Sequence, residues 1–420
     1  MIARGARRST AILLWVSAFQ AVAQSPSAPT SITLQSAYQQ ALARSEDTRI
    51  AQQNLAQSQV AQLSTWVPIS PQAVLSGSGT LQNAVTGSQI PQVVAAEASL
   101  LQPVFRRGFF AAREAAQLGI EAATFSLDRV RQQVMLEVTT SFVAVLRSRQ
   151  AVLVVDAAVQ RGEAQEASAN ARVQAGGALR TAQLQATISL RQARVEKVRV
   201  SREVTLQELS FERLVGIKPP PTLTLPSTPP LPNIEQATRL AAERSDLLAL
   251  QRQALSARAL EQSLGGARWP RLDFKFAYDQ SYPTLVGTAP YTVQAAALLT
   301  VPLFQGGDEF LRVEAQRVVA EVASLRVSRL EKQIAEQLRS ALNELDAAQQ
   351  SFALAEQQIK DAQENYALVT NQFKLRTVTF LEVAAAQSAL TDAENLRLIS
   401  NFDRELAAYR LLFAIGTLQL

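Results

Sequence analysis

The chain contains no cysteine, no histidine and only two methionines among its 420 residues. The lack of cysteine excludes thiol chemistry, and the lack of histidine removes the commonest metal ligand and the usual general base of enzymes. No phosphate-binding glycine loop or metal-ligand cluster is recognisable, and the formal net charge of +5 comes without a basic stripe. We therefore expect no enzymatic activity, no cofactor, no metal and no nucleic-acid partner.

Long apolar runs are also missing, and the one short run lies at the N-terminus. Arg4, Arg7 and Arg8 precede the apolar segment 11–19, and Ala21-Val22-Ala23 provides small residues for cleavage. This run is far shorter than the ~20 residues of a transmembrane helix. We therefore predict that residues 1–23 are a secretory signal peptide. The remaining chain is then either soluble or crosses a membrane as strands.

The rest of the sequence is an internal duplication with a period of about 200 residues. Residues of the first copy that recur 200 positions later are Ala37, Ala41, Arg44, Ser45, Leu55, Ala186, Leu190 and Gly216. A repeat of this length is a whole structural module and not the short unit of a solenoid. The predicted organisation is a first repeat over 24–216, a proline-rich extended connector over 217–232 and a second repeat over 233–420.

Each repeat carries the pattern of a long antiparallel coiled coil. Large residues recur every seven positions from Leu338 to Phe373, and small residues from Ala341 to Val369 lie between them. The proline-free segments 108–176 and 307–376 predict rods of about 100 Å. Returning helices are predicted near 179–215 and 378–415. Leading helices over 32–65 and 234–266 are predicted to stack end to end with them beside the rods.

Period-two patterns predict two strands in each repeat. In the second repeat, Leu272, Phe274, Phe276 and Tyr278 alternate with polar residues, and a similar strand follows near 291–301. Fainter counterparts lie near 71–81 and 94–101. Strands with one apolar and one polar face fit a membrane barrel, although a soluble hairpin packed on the helices is the alternative. Since the smallest membrane barrels need about eight strands, several chains would have to pool theirs, and three chains would give twelve.

The chain resembles the TolC-type outer-membrane channels over essentially its whole mature length. The most specific segment is Pro302-Leu303-Phe304-Gln305-Gly306-Gly307, which is similar to the family's turn from strand into long helix. Segments 373–387 and 411–416 resemble two further family motifs. The resemblance implies a mainly α fold with membrane β-strands, in which a homotrimer forms a 12-stranded barrel continued by an α-helical tube. It also implies a place in the outer membrane, in contact with its lipid and extending into the periplasm.

In function, the resemblance implies a passive, non-enzymatic duct for efflux or type I secretion. An inner-membrane pump of the RND, ABC or MFS type would supply substrate, and a periplasmic adaptor would dock at the hairpin tips. By resemblance, the residues expected at those tips are Gly176, Gly177, Arg376 and Thr377. Those expected at the strand-to-helix turns are Pro103, Phe105, Pro302, Phe304, Gly306 and Gly307. Those expected at the channel constriction are Glu382, Phe373 and Val378.

Two alternatives stay open at the level of sequence. In a trimer Glu382 would form an acidic ring that favours cations, but an acid at that position also suits the start of the returning helix. For the whole chain, the alternative function is a soluble periplasmic coiled-coil adaptor or scaffold. The duplication argues against an adaptor, which typically needs a single helical hairpin.

Overall fold

The computed structural model describes residues 31–81, 92–225, 230–282, 289, 291–304, 306–375 and 377–418. The predicted signal peptide 1–23 and the tip residue Arg376 therefore lie outside the described residues.

The elements follow one order twice: two leading helices, two strands, a long helix and a returning helix. A short strand, β1 (Ser31–Thr33), precedes the first set. This set comprises α1 (Leu34–Arg44), α2 (Glu46–Ser64), β2 (Gln72–Leu81), β3 (Gln92–Phe105), α3 (Gly108–Gln174) and α4 (Arg180–Val215). The connecting strand is β4 (Thr222–Thr224). The second set comprises α5 (Ile234–Ala242), α6 (Ser245–Gly265), β5 (Arg271–Tyr282), β6 (Tyr291–Thr300), α7 (Asp308–Lys374) and α8 (Phe380–Ala414).

The two long helices have the length and the buried stripe that the heptads predict. Both α3 and α7 have 67 residues, which corresponds to about 100 Å. The heptad positions from Leu338 to Phe373 and their small partners are all buried or half-buried. Small residues such as Ala341 and Ala355 let the neighbouring helix backbone approach closely.

The leading segments, in contrast, are not continuous helices as predicted. Each is broken into two helices, at Ser45 in the first repeat and at Glu243–Arg244 in the second. Ser45 has extended backbone angles, and its side chain accepts a hydrogen bond of 3.2 Å from the Thr48 amide. The prediction missed the first break because serine is tolerated inside a helix as well as at its N-cap, and the second because Arg244 is no N-cap signal.

The shorter helices lie along different halves of the long ones, as the end-to-end stacking predicts. Near the sheet, Ser256 of α6 donates a hydrogen bond of 2.7 Å to the Ala115 carbonyl of α3. Beyond the middle of the rod, Lys197 of α4 pairs with Asp156 of α3 at 2.7 Å. Each long helix is therefore covered by leading helices on one half and by a returning helix on the other.

The largest apolar cluster lies where the leading and returning helices meet. Phe142, Phe211 and Leu411 are at most 1 % exposed there, and helices of both repeats contribute to the cluster. The connector joins the same region because β4 pairs in parallel with β1, which places Ser31 opposite Thr222. The described part of the connector contains no helix and includes the strand β4, in agreement with its prolines.

Both repeats use an arginine at the leading-helix break to hold the end of the returning helix. Arg44 donates a hydrogen bond of 2.8 Å to the Gly216 carbonyl, and Arg244 donates one of 3.0 Å to the Ala414 carbonyl. Gly216 and Gly416 follow the two helices with φ values of +82° and +76°, a left-handed conformation that glycine adopts most easily. The arginines and the glycines of the two repeats therefore correspond at a spacing of 200 residues, whereas the carbonyls that accept from the arginines depart from that spacing by two positions.

Candidate functional site

The four long strands form one antiparallel sheet in the order β2-β3-β5-β6. Its register aligns apolar residues into rows that cross all four strands. One row is Leu75, Ala98, Tyr278 and Val293, and the next is Ala73, Leu100, Phe276 and Ala295. On the opposite face, the register aligns Ser76, Glu97, Asp279 and Thr292. The sheet therefore has one apolar face and one polar face, as the alternation predicts.

In the two central strands, β3 and β5, the exposure of these faces is the reverse of what a water-soluble sheet shows, whereas the edge strands β2 and β6 are exposed on both faces. Along β5 the aromatic residues Phe274 and Phe276 are 50 % and 49 % exposed, whereas Asp273 and Ala277 on the polar face are 8 % and 1 % exposed. On the polar face, Lys275 pairs with Glu97 at 2.9 Å. A soluble sheet buries its apolar face against a core. An exposed apolar face with a sheltered polar face is the arrangement of a membrane strand facing lipid on one side.

Aromatic and arginine side chains border this sheet on its helical side. Trp66 and Trp269 are 43 % and 47 % exposed. The Arg107 guanidinium lies 3.5 Å from the centre of the Trp269 ring, and that of Arg113 lies 4.7 Å from a Trp66 ring centre. Tryptophan with a polar neighbour is typical of the boundary between lipid and water. Among the described residues, no helix is both long and apolar enough to cross a bilayer.

The strand-to-helix turns differ between the repeats. In the first repeat Pro103 and Phe105 still belong to β3, with a bulge between them, and the turn itself is Arg106–Arg107. In the second repeat β6 ends at Thr300, so Pro302 and Phe304 lie in the turn. Gly306 and Gly307 follow with φ values of +69° and +84° and start α7. Both strands end beside the start of β5, since Phe105 of β3 lies opposite Leu272 and Thr300 of β6 lies opposite Arg271.

At the opposite end of the rods, the two hairpin turns share one hydrogen-bond pattern. The Gly177 amide donates to the Arg172 carbonyl at 2.8 Å, and the Thr377 amide donates to the Gln372 carbonyl at 3.0 Å. Gly176 adopts a φ of +70°. Gly176, Gly177 and Thr377 are exposed. The predicted tip residues that the structure describes therefore lie at the surface of the hairpin ends.

Glu382 caps its own helix. Its Oε2 accepts hydrogen bonds from the Thr379 amide at 2.6 Å and from the Thr379 hydroxyl at 3.1 Å, which forms a capping box at the start of α8. The first repeat has Leu179 and Ala182 at these positions and no such cap. The helix-start interpretation of Glu382 therefore has direct support, although the carboxylate is also exposed.

Phe373 is part of a small apolar cluster that joins the two hairpin ends. It packs edge to face against Phe380 with ring centres 6.2 Å apart, and Phe380 in turn packs against Ala169 and Ala186 of the first hairpin. The Arg172 guanidinium lies 4.2 Å from the Phe373 ring centre and donates to the Phe373 carbonyl at 3.2 Å. Phe373 is half-buried as a result.

Val378, the third predicted constriction residue, lies in the α7–α8 turn and is half-buried. Phe380 and Arg172, which hold the hairpins together, were not among the predicted site residues. A signal was present in the duplication, because Arg180 occupies the position of the first repeat that corresponds to Phe380. An aromatic residue replacing an arginine between two repeats marks a surface that is buried in only one of them.

No cluster of three or more His, Cys, Asp or Glu residues able to hold a metal ion occurs among the described residues. The acidic residues of the hairpins instead pair with basic ones. Arg161 of α3 and Glu394 of α8 form a two-pronged ion pair of 2.7 and 3.1 Å between the hairpins, and both side chains are 19 % exposed.

Comparison with solved structures identifies the fold. CusC, whose crystal structures follow folding and transmembrane channel formation, superposes with a TM-score of 0.82 at 15 % identity, covering 91 % of this chain and 92 % of CusC. The outer-membrane protein VceC of Vibrio cholerae gives a TM-score of 0.78 at 17 % identity and 91 % and 96 % coverage. The CmeC outer-membrane channel of Campylobacter jejuni gives 0.78 at 12 % identity and 91 % and 85 % coverage. The chain has the TolC-type fold. No family model and no curated protein matches the sequence.

The TolC-type fold confirms the predicted class of long helical hairpins combined with four long strands in one chain. The superposition covers nine tenths of the chain, so the likeness extends over the sheet and both helical hairpins. At these levels of identity the likeness concerns the fold, and the role of each residue has to be argued from its own contacts.

Proposed function

We propose that the chain is an outer-membrane channel, placed in the bilayer by its four-stranded sheet. The observation that carries this proposal is the exposed apolar face of the sheet, with Phe274 and Phe276 about half exposed while Asp273 is sheltered. Strands of 10 to 14 residues are long enough for a membrane that needs about 9–11 residues per tilted strand. A soluble adaptor or scaffold, the alternative function, has no use for such a face.

The channel is proposed to be a homotrimer. A four-stranded sheet leaves β2 and β6 at its edges, and unpaired strand edges are not stable in lipid. Three copies would supply twelve strands, which exceeds the minimum of about eight for a closed membrane barrel. The polar rows that contain Glu97 and Asp279 would then line a water-filled lumen, and the apolar rows would face lipid.

The helical hairpins are proposed to continue this barrel as a tube through the periplasm. Rods of about 100 Å carry the hairpin ends far from the sheet. The exposed turn residues Gly176, Gly177 and Thr377, together with Arg376, are proposed to receive a periplasmic adaptor. Substrate would come from an inner-membrane pump of the RND, ABC or MFS type, and conduction through the duct itself would be passive.

The constriction is proposed to lie at the same end, near Phe373, Val378 and Glu382. Phe373 and Phe380 join the hairpins there, so separating the hairpins would widen the opening. In a trimer Glu382 would form a ring of three acids. Both of its described hydrogen bonds use Oε2, so Oε1 has no hydrogen-bond partner among the described residues and is proposed to face the lumen.

Fractionation and conductance together test this proposal. We expect detergent-extractable trimers in the outer-membrane fraction and single-channel conductance after reconstitution in planar bilayers. Recovery of the chain wholly in the soluble periplasm, without a membrane-associated oligomer, would contradict it. For the constriction, Glu382→Gln keeps the size of the side chain and should lower the cation preference. An unchanged preference would leave Glu382 as a helix cap alone.

A further inference from the structure

The duplication predicts how one copy of the chain contacts the next. Within the chain, α3 of the first repeat meets α8 of the second repeat through the Arg161–Glu394 ion pair. Arg161 also donates to the Thr391 hydroxyl at 3.2 Å. If repeats alternate around a ring, α7 of the second repeat meets α4 of the neighbouring copy in the same way. The residues that correspond to Arg161, Thr391 and Glu394 are then Asp361, Arg191 and Arg194.

The correspondence of n with n + 200 holds at this level of the hairpins. Lys197 pairs with Asp156 in the first hairpin at 2.7 Å, and Arg397 pairs with Glu356 in the second at 3.7 Å. Both pairs lie within five residues of the positions in question. The two hairpins therefore share one internal register at this level, which is the basis for transferring the α3–α8 contact by 200 residues to α7 and the α4 of another copy.

The charges at these positions are reversed between the two repeats. Position 161 is basic and its counterpart Asp361 is acidic, whereas Glu394 is acidic and its counterpart Arg194 is basic. A second copy in the equivalent position would therefore meet opposite charges again, with the signs exchanged. Both positions differ in sign between the repeats. The pair of Asp361 and Arg194 is therefore as complementary in charge as the pair of Arg161 and Glu394, although both residue types differ.

The exposure of Asp361, Arg191 and Arg194 is what we expect of a surface that a second copy of the chain covers. Asp361, Arg191 and Arg194 are exposed, whereas Arg161 and Glu394 are covered by the facing repeat. Asp361 has no ion pair among the described residues. Arg194 pairs with Glu163 on its own hairpin at 2.9 Å, but those side chains are 58 % and 50 % exposed, and such surface pairs are weak. Arg194 has further N–H groups to offer a second carboxylate.

We propose that a second copy of the chain packs its α4 against α7, and that its Arg194 forms an ion pair with Asp361. This inference rests on the proposed ring-shaped channel. The reversed charges also specify the order of the repeats. Two first repeats side by side would place Arg161 against Arg194, and two second repeats would place Asp361 against Glu394. Like charges across an interface exclude wrong partners, so the hairpins assemble only in alternation.

Cysteine cross-linking tests the contact directly, because the natural chain has no cysteine. The pair Arg194→Cys and Asp361→Cys is treated in cells with a short bismaleimide, since facing long side chains hold helices too far apart for a disulfide. We expect covalent dimers and trimers on a denaturing gel. The control pair Arg161→Cys and Glu394→Cys should cross-link within one chain and stay monomeric.

The outcomes separate this inference from the proposed function. If the double-cysteine protein is trimeric under native conditions but gives no covalent oligomer above its single-cysteine variants, the contact is wrong and the channel stands. If either single variant alone gives covalent dimers, each position meets its own copy, which also overturns the contact. If the untreated natural chain forms no oligomer, the proposed function itself fails.

Charge reversal tests the energetic role. Asp361→Arg should raise the concentration for half-assembly at least about tenfold, because like charges across an interface are strongly unfavourable. The double variant Asp361→Arg with Arg194→Glu reproduces the intrachain pair and should restore assembly. Glu364→Arg is the matched control, because its first-repeat counterpart Ala164 is exposed and makes no contact of this kind. An effect of Glu364→Arg equal to that of Asp361→Arg, or no rescue in the double variant, would refute the proposed pair.

Discussion

The buried guanidinium of Arg244, which joins the α5–α6 break to the end of α8, makes the stability of the folded chain sensitive to the loss of its counter-ion. Its side chain is 1 % exposed, and the Asp246 carboxylate binds it through two hydrogen bonds of 3.0 and 2.6 Å. The Gln337 side chain and the Ala414 carbonyl accept its remaining described bonds at 2.8 and 3.0 Å. Arg129 lies 3.5 Å from the same carboxylate. We predict that Asp246→Asn will destabilise the folded chain strongly while keeping its shape.

The expected magnitude follows from the cost of a buried charge without its counter-ion. Breaking a buried ion pair by removing one partner costs about 3–5 kcal/mol. Asparagine keeps one acceptor oxygen and almost the same volume, so the lower end, about 3 kcal/mol, applies here. Removing Asp246 also leaves the positive charges of Arg129 and Arg244 close together. Burial already lowers the pKa of Arg129 to about 10, and the Arg244 charge adds to that effect.

The duplication provides a matched control for the measurement. Glu46 corresponds to Asp246, but Glu46 and its neighbour Arg44 are exposed. Equilibrium unfolding by denaturant in detergent, followed by far-ultraviolet circular dichroism, should show a loss of about 3 kcal/mol for Asp246→Asn. The loss for Glu46→Gln should stay within about 0.5 kcal/mol. A loss below about 1 kcal/mol for Asp246→Asn would refute the reasoning, because the buried guanidinium would then be neutralised or solvated by other groups.

Three further predictions concern Asp246, the apolar face of the sheet and the junction of sheet and helices. Burial alone would raise the pKa of Asp246, but the Arg244 hydrogen bond and the charges of Arg129 and Arg244 lower it overall. Its stabilising effect is therefore present above the ordinary pKa of 3.8 and lost as pH falls through the lower folded value, and an acid titration of stability should show this phase in the natural chain but not in Asp246→Asn. On the sheet, Phe276→Asp places a charge on the apolar face and should reduce the folded chain recovered from the membrane fraction, whereas Gln294→Asp on the polar face should not. At the junction of sheet and helices, a Cβ on Gly266 would lie 2.4 Å from the Gly108 amide nitrogen, so Gly266→Ala should lower the unfolding free energy by about 1–3 kcal/mol. Gly119→Ala, which meets nothing within 4 Å, should not; equal effects of the two alanines would contradict this.

The sequence predicts most of the architecture because the architecture rests on periodic patterns. Absence of proline over 67 residues and a heptad of large and small residues are enough to define α3 and α7. The alternation from Leu272 to Tyr278 defines β5 and its faces. These features depend on local backbone geometry and burial, which a single sequence records at every position.

Features that depend on contacts between distant segments were not predictable in this way. The break at Ser45 and the burial of Arg244 depend on the ends of α4 and α8 lying next to the leading helices. Nothing near Arg244 in the sequence indicates that this residue will be buried, since arginine is normally found at the surface. For Glu382 the sequence left both interpretations open, and the capping box with Thr379 was found only once the start of α8 at Phe380 was known.

The positions at which the two repeats differ in residue type indicate which surfaces of each repeat are covered by a neighbour. Equivalent positions have the same backbone environment within a module, so a change in residue type reflects a change in what lies across from it. Phe380 replaces Arg180 where one hairpin covers the other, and Arg244 is buried where Arg44 is exposed. Asp361 and Arg194 differ in charge from Arg161 and Glu394, their counterparts in the other repeat. They are exposed in one chain and complementary in charge to each other, which fits a contact with a second copy. Comparison of the two repeats therefore distinguishes helix faces that are in contact within one chain from helix faces that are available for contact with a second copy.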